Sequence, residues 1–479
     1  MQKDQNTAQS RRNFIKQGAA LAGGLMIVPS HVISGLGHTP PSDMLNIAAV
    51  GVGGMGRSNL DKLKTQHIVA LCDIDWAYAQ QTFDLYPNAK RYKDYRRMLE
   101  EMDKDIDAVV VATPDHTHYV ITADAMRAGK HVYVQKPLTH SVYESRMLTQ
   151  LARETGVATQ MGNQGNSGDG TKLICEMIWN GEIGEVREVH TWTNRPIWPQ
   201  GIEKPTDTPP VPDTLDWDLF LGPAPWRDYN PAYTPWNWRA WWDFGTGALG
   251  DMGCHIIDSA FKALDLGYPS AFEASSSMFN IDCAPVAEKV TYYFPARPKK
   301  YKVNMPPVKM IWYDGGLMPE RPEGLTDGKM LGAGGGGTMF IGSKGIAVCN
   351  VYGNDPYIVS KEQNPVVPER LRKIEGGSNG HEMDWVRACK ENKESRVEAS
   401  SHFGYSGPLN EVVVMGNLAV RLQQLNRKFD WDAANMQIAN ISDNEELTVR
   451  VKGRETVKVN AKAAAQEYIK HNYREGWSY

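Results

Sequence analysis

Cysteine is scarce and scattered in this chain. Its six residues, Cys72, Cys175, Cys254, Cys283, Cys349 and Cys389, form no C-x-x-C pair. That spacing excludes a zinc knuckle and a small disulfide scaffold, and buried free thiols are expected instead. Positive charge is not in excess either. A formal net charge of −4 and a pI near 6.3 leave no basic footprint for nucleic acid or an anionic membrane. No internal repeat is visible. No apolar run reaches the ~20 residues that a bilayer span requires. Gly342-Ser343-Lys344 has the wrong order for a P-loop lysine, and no cluster predicts a metal site.

What is present is a long, ordinary globular composition. With 479 residues, 41% hydrophobic and 23% charged, two or three domains with a sizeable core are expected. Ser10-Arg11-Arg12-Asn13-Phe14-Ile15-Lys16, followed by the apolar stretch Gly18 to Val28, resembles a twin-arginine export signal over residues 1–34. Cleavage after Ser34 and a soluble, periplasmic product are expected.

Leu45 to Val50 is a short apolar run rich in strand formers. Gly51-Val52-Gly53-Gly54-Met55-Gly56 follows, and Arg57 to Lys64 reads as a helix. This is G-x-G-x-x-G between strand and helix. The first Gly permits the turn, the second lets the backbone approach a pyrophosphate, and the third packs helix on strand. A phosphate then meets the unpaired N–H groups of the helix start. A second strand, His67 to Leu71, ends in Cys72-Asp73, and Asp73 lies 22 residues past Gly51. An acid there accepts from ribose hydroxyls and repels a 2′-phosphate, which predicts NAD rather than NADP. A chance glycine turn beside an unrelated Asp is the alternative.

The alternation continues with strands at 106–112, 130–134 and 157–161 and helices at 116–128 and 141–154. Strands and helices at this spacing predict a parallel doubly wound sheet. Thr113-Pro114-Asp115-His116-Thr117-His118 closes one strand and Gln135-Lys136-Pro137 the next. With these pieces the chain resembles the Gfo/Idh/MocA family, named for glucose–fructose oxidoreductase and inositol dehydrogenase, from about Asn46 to at least Leu422. The resemblance implies that Thr113, Pro114 and His118 lie beside the nicotinamide end, and that Lys136 contacts cofactor and substrate. Gln135 stands where the family usually has Glu, so the lysine has an uncharged neighbour. The cofactor-binding set is then Gly51, Gly53, Gly54, Met55, Gly56, Asp73, Thr113, Pro114, His118, Gln135, Lys136 and Asn163.

The resemblance implies an α/β fold: an N-terminal Rossmann domain at 43–165, then an α+β substrate domain at 166–430 with a large open mixed sheet. A C-terminal extension follows at 431–479. Gly170 to Asn180 reads as a helix; Glu185 to Asn194, Val290 to Phe294, Met339 to Ile341 and Ile346 to Asn350 read as strands. Asp251 and His255, four apart, share a face of a helix. They resemble the family's D-x-x-x-H element, whose His serves as acid/base, a role suited to an unperturbed pKa near ~6.5. A core histidine satisfied by Asp258 is the bland alternative.

Four Trp fall within Trp236-Asn237-Trp238-Arg239-Ala240-Trp241-Trp242. Trp faces stack on pyranose rings, so one or two are expected to line a sugar pocket; Arg195, Trp238, Arg239 and Trp242 form the candidate substrate set. Gly380-His381-Glu382-Met383-Asp384-Trp385 reads as the start of a helix, in which His381 has no partner that sequence can name, and Val451 to Tyr479 reads as a docked tail rather than a site.

The resulting expectation is NAD-dependent oxidation of a secondary hydroxyl of a sugar, glycoside or cyclitol, with C3 of a glucoside as a candidate carbon. Lys136, Asp251 and His255 are the catalytic candidates. A redox-neutral glycosidase acting through a transient 3-keto sugar is the second reading, although the His- and Gly-rich loop of that branch is not recognised here. A non-catalytic sugar-binding relative is the third. A homo-oligomer through the C-terminal sheet, and a tightly held cofactor in an exported protein, complete the expectations.

Overall fold

A computed structural model describes residues 43–333 and 335–479; residues 1–34, which resemble a twin-arginine signal, lie outside them. From Leu45 onward the chain forms one compact unit built on two large sheets.

The first sheet contains β1 (Asn46–Val50), β2 (His67–Cys72), β3 (Lys90–Tyr92), β4 (Ala108–Val111), β5 (His131–Val134) and β6 (Thr159–Met161). Its order is β3-β2-β1-β4-β5-β6, with every pairing parallel. β4 is Ala-Val-Val-Val and wholly buried, as expected of a central strand with both faces covered. Between the strands lie α1 (Met55–Lys62), α2 (Trp76–Leu85), α3 (Tyr95–Glu101), α4 (His118–Arg127) and α5 (Val142–Thr155). The Ser141 hydroxyl accepts from the Glu144 amide to cap α5, and the Glu144 carboxylate accepts from the Ser141 amide. α2, β3 and α3 lack strong periodicity in sequence and are additions to the expected elements.

After α6 (Asp169–Asn180) comes β7 (Val186–Thr193), then α7 (Trp217–Leu221) and the long α8 (Gly247–Leu264). The second sheet adds β8 (Ala271–Ser276), β9 (Glu288–Phe294), β12 (Val308–Tyr313), β13 (Gly336–Gly342), β14 (Ile346–Asn350), β15 (Tyr357–Ile358), β16 (Phe429–Asp432) and β17 (Gln437–Ile438) to β7. β10 (Arg297–Lys300) and β11 (Val303–Met305) form a separate hairpin. The nine-stranded order is β15-β14-β13-β7-β12-β9-β8-β16-β17, and β12 with β7 is its parallel pair. The fold is thus α/β, a Rossmann sheet followed by a domain with a large mixed sheet.

Two returns of the chain depart from the linear domain plan. α9 (His381–Cys389) goes back to the Rossmann core, where Trp385 and Ala399 pack with Ala158, Tyr133 and Val110. α10 (Phe403–Leu422) packs across both α5 and α8. The hairpin β18 (Glu446–Lys452) and β19 (Glu455–Asn460) leads into α11 (Ala461–Ile469) and the last ten residues. All six cysteines are buried and unpaired. Among the described residues no helix is long and apolar enough to cross a membrane.

Candidate active site

The sheet order reverses direction between β1 and β4, and the carboxyl ends of those strands open onto the crevice where open α/β sheets take their ligands. A cavity of about 810 Å³ occupies that crevice. Gly51 starts its floor with φ +80°, and a Cβ there would lie 2.7 Å from the Ala112 carbonyl. A Cβ on Gly56 would lie 2.1 Å from the Gly51 oxygen, so this glycine sets the approach of α1 to β1. Gly53, Gly54 and Met55 line the cavity itself. The backbone cradle, with helix N–H groups that no turn can use, fits a pyrophosphate.

Asp73 stands at the end of β2, nearly buried. Its Oδ2 accepts from the Val52 (2.8 Å) and Gly53 (3.1 Å) amides and its Oδ1 from Asp75 (3.0 Å). Burial pushes its pKa up to about 6, although those amides pull it down. One lone-pair direction is left for a ribose hydroxyl. The ring of Tyr78 covers Gly53 and Gly54; nothing in its sequence context distinguishes it from other helix residues.

At the far end of the cavity, three elements meet. Lys136, after β5, donates from Nζ to Asp251 Oδ1 (2.6 Å) and to the Asp251 carbonyl (2.9 Å). Arg239 Nε donates to the same Oδ1 at 3.0 Å. Burial alone would raise the Asp251 pKa, but the two cations hold it well below the usual carboxylate range. His255 sits one turn along α8 in the same cavity. Burial first, and then the charge of Lys136, lowers its pKa to about 3, against the pull of Asp251. The ring is therefore neutral at physiological pH, and its buried Nδ1 has no protein partner. Tyr352 packs edge-on against it at 4.9 Å.

Convergence over this sequence distance has a local cause. The Thr246 amide and hydroxyl, at the start of α8, donate to Asp115 Oδ2 (3.1 and 2.6 Å). The loop after β4 is thereby keyed to the helix that carries Asp251 and His255. Asn410 of α10 accepts from the Leu138 amide at 3.0 Å and donates to the Thr139 carbonyl at 3.2 Å, fixing the loop after Lys136. Asp258 does not satisfy His255. It accepts from Asn166 Nδ2 (2.8 Å) and the Tyr405 hydroxyl (2.5 Å) instead.

Thr113, Pro114, Gln135, Arg195, Trp238 and Arg239 line the cavity. Gln135 Nε2 donates to Asn59 Oδ1 (2.9 Å), and Asn59 donates on to Glu382 (2.9 Å), so a carboxylate from α9 stands two links behind the uncharged amide. Arg239 stacks over Trp238 at 4.2 Å and faces Trp236 at 5.3 Å.

Three expected contacts are placed elsewhere. His118 is buried, with Nδ1 2.7 Å from the Pro137 carbonyl and Nε2 2.8 Å from that of Thr113. It braces the two cavity loops from behind rather than facing into the cavity. Asn163 is fully buried and accepts from the Ser401 hydroxyl (2.5 Å), because the 400–402 segment folds over the end of β6. Trp242 points into the core, donating to the Asn280 carbonyl (3.2 Å) beneath Arg421. Trp236, half exposed, takes the cavity position, so two of the four clustered Trp line it. His381 bridges Ser167 Oγ (2.7 Å) and the Met161 carbonyl (2.8 Å) as a buried structural residue. Tyr78, Gln164, Tyr352 and Trp477 line the cavity and carried no sequence signal that marked them. The tail, read from sequence as docked and not a site, is docked but supplies Trp477.

Residues 45–163 match the family described as "Oxidoreductase family, NAD-binding Rossmann fold", and residues 185–296 match that family's "C-terminal alpha/beta domain". An inositol 2-dehydrogenase of Salmonella typhimurium is 29% identical over 152 residues, 30% of this chain and 45% of that protein. An alpha-N-acetylgalactosaminidase of Shewanella oneidensis is 27% identical over 203 residues, 37% of this chain and 44% of that protein. The chain thus spans under half the length of the curated relatives it matches. The WlbA dehydrogenase of Bordetella pertussis, solved with NADH and UDP-GlcNAcA, superposes with a TM-score of 0.55 at 16% identity, covering 81% of this chain and 99% of that one. The glycine cradle and Asp73 lie within the first matched domain, so residues 45–163 form an NAD-binding Rossmann domain of the Gfo/Idh/MocA oxidoreductase type, and residues 185–296 match the C-terminal domain of that family.

Proposed function

We propose that the protein oxidises a secondary hydroxyl of a sugar, glycoside or cyclitol, with C3 of a glucoside as a candidate carbon. The observation that carries this reading is the meeting of Lys136, Asp251 and His255 in the cavity that begins at the glycine loop. When bound, NAD supplies the hydride acceptor. His255 takes the hydroxyl proton. As the carbinol hydride leaves, that proton becomes strongly acidic, so a neutral imidazole of low pKa suffices. Lys136 donates to the same oxygen and stabilises negative charge on it. Asp251 holds Lys136 and Arg239 in place and stabilises the imidazolium that forms. Trp236, half exposed, offers a flat face to a pyranose ring, while Trp238 lines the wall beneath Arg239, with Arg195 and Arg239 for the sugar's hydroxyls.

The names of the two curated relatives support a carbohydrate substrate, and one of them favours the second reading, a redox-neutral glycosidase. A panel of glycosides and cyclitols, followed by reduced-nicotinamide absorbance, tests the first reading. Aglycone release from a chromogenic glycoside without net NADH selects the second. Sugar binding with neither outcome selects a non-catalytic relative.

We further propose that Ser10–Lys16 directs export by the twin-arginine route to the periplasm. An exported enzyme meets little free NAD, so the cofactor is held tightly. A purified mature protein that is nucleotide-free and binds NAD weakly contradicts this. Assembly as a homo-oligomer through the nine-stranded sheet is proposed on the family resemblance, and sedimentation tests it.

A further inference from the structure

Beyond Asp73 the cavity continues past Lys93, Asp94, Tyr95 and Ile121, and its wall there includes Trp477, two residues from the end of the chain. Asp73 binds the adenosine ribose in this fold, so the adenine of a bound dinucleotide extends into this part. The Trp477 ring is built into place. Its centroid lies 6.4 Å from that of Tyr95, and the Arg96 guanidinium lies 4.7 Å over its face. Arg96 is itself clamped by Asp94 at 2.6 Å, and Tyr95 donates to Asp124 at 2.8 Å.

The segment carrying Trp477 is fastened on both sides of the cavity. Arg474 pairs with Asp218 of α7 at 2.6 Å, and its amide donates to the Pro223 carbonyl at 3.1 Å. Leu219 and Phe220 of the same helix line the cavity. On the Rossmann side the Tyr473 hydroxyl donates to Glu144, which closes the capping box of α5. The Tyr473 and Tyr479 rings stack at 4.0 Å, and Tyr479 packs on Tyr119 and Tyr143. Residues 470–479 lie outside both matched family domains. They bring Trp477 to the cavity wall.

We propose that residues 470–479 are a strap across the adenosine end of the dinucleotide site, in which Trp477 contacts the adenine moiety and slows cofactor release. This rests on the cavity being the NAD site. Aromatic–base contacts are worth roughly tenfold to a hundredfold in affinity, and an aromatic wall fixed before binding adds little ordering cost.

Displacement of NADH fluorescence by excess NAD, in full-length holoprotein, reads the release rate directly. Trp477→Ala is expected to speed release about tenfold or more and to weaken ADP-ribose binding by a like factor. Nicotinamide mononucleotide, which lacks the adenosine, is expected to bind the variant as it binds the parent. Unchanged NADH release and unchanged ADP-ribose affinity overturn the proposal. So does an equal loss for nicotinamide mononucleotide, which would place the effect away from the adenosine end. On the unaltered protein, ADP-ribose is expected to slow hydrogen exchange in the 470–479 peptide, since linkage is reciprocal; exchange there unaffected by ADP-ribose overturns it. A parent protein that binds neither NADH nor ADP-ribose contradicts the cavity assignment itself, and the strap with it.

Discussion

Lys136 Nζ and Asp251 Oδ1 stand 2.6 Å apart, joining the loop after β5 to the second turn of α8. Both side chains are little exposed, at 13% and 11%, and Arg239 shares the carboxylate. Removing Asp251 strands two buried cations, whereas removing Lys136 leaves the carboxylate with Arg239. Asp251→Asn is therefore expected to destabilise the protein by about 3 kcal/mol and Lys136→Met by clearly less, since an uncompensated buried charge is the costly outcome. Denaturant unfolding of both variants checks the order, and the reverse order contradicts it.

The lowered pKa of His255 yields a signed prediction. Burial and the Lys136 charge hold it at about 3, so the ring is neutral and competent across the neutral range in the parent. Taking away the lysine charge removes a cause of the lowering, and the pKa rises. In Lys136→Met the residual rate is expected to begin falling at higher pH than in the parent as the solution is acidified. An acid limb that stays in place or moves lower contradicts the coupling.

Asp73, with a pKa pushed up to about 6 by burial, is charged above that pH and neutral below it. Repulsion of a 2′-phosphate is thus fully present at pH 8 and fades as pH falls through 6. The ratio of NADP to NAD dissociation constants is expected to narrow at pH 5. Asp73→Asn is expected to narrow it about tenfold or more at pH 8, where only the parent carries the charge. A ratio independent of both pH and the substitution contradicts the assignment.

Gly56→Ala places a methyl group 2.1 Å from the Gly51 carbonyl oxygen, a rigid neighbour. A cost of about 1–3 kcal/mol is expected, together with weakened NAD binding as α1 is pushed from β1. Gly129→Ala, where the added Cβ meets nothing within 4 Å but φ is +74°, isolates backbone strain from crowding. Equal NAD affinity in the parent and Gly56→Ala contradicts the account of the loop.

Much of this site is legible in the sequence, for a physical reason. Gly51, Asp73, Lys136, Asp251 and His255 lie at strand ends or on one helix face, where local patterning places a side chain. The misplaced residues have no such constraint. Trp242 follows Trp241 on an irregular segment, where no periodicity says which ring turns outward. His118 starts α4, and its ring bends back to two carbonyls that only the folded loops bring near. Asn163 is covered by a segment more than two hundred residues away in sequence. Tyr352 and Trp477 enter from a turn and a tail, joined to the site by contacts of long sequence separation that no local pattern encodes. The same holds for the packing of α9: Gly380 to Trp385 reads as a helix start, and the helix is there, but nothing local says that it returns to the Rossmann core.

The central claim is that Lys136 and His255 act on one hydroxyl beside the nicotinamide. The most direct measurement uses a substrate from the panel deuterated at the reacting carbinol carbon and follows label into the nicotinamide ring, in the parent and in His255→Ala and Lys136→Ala with NAD bound. Label transfer is expected in the parent and to fall by about 10²-fold or more in each variant. Transfer at the parent's rate in both variants, with cofactor affinity intact, contradicts the account.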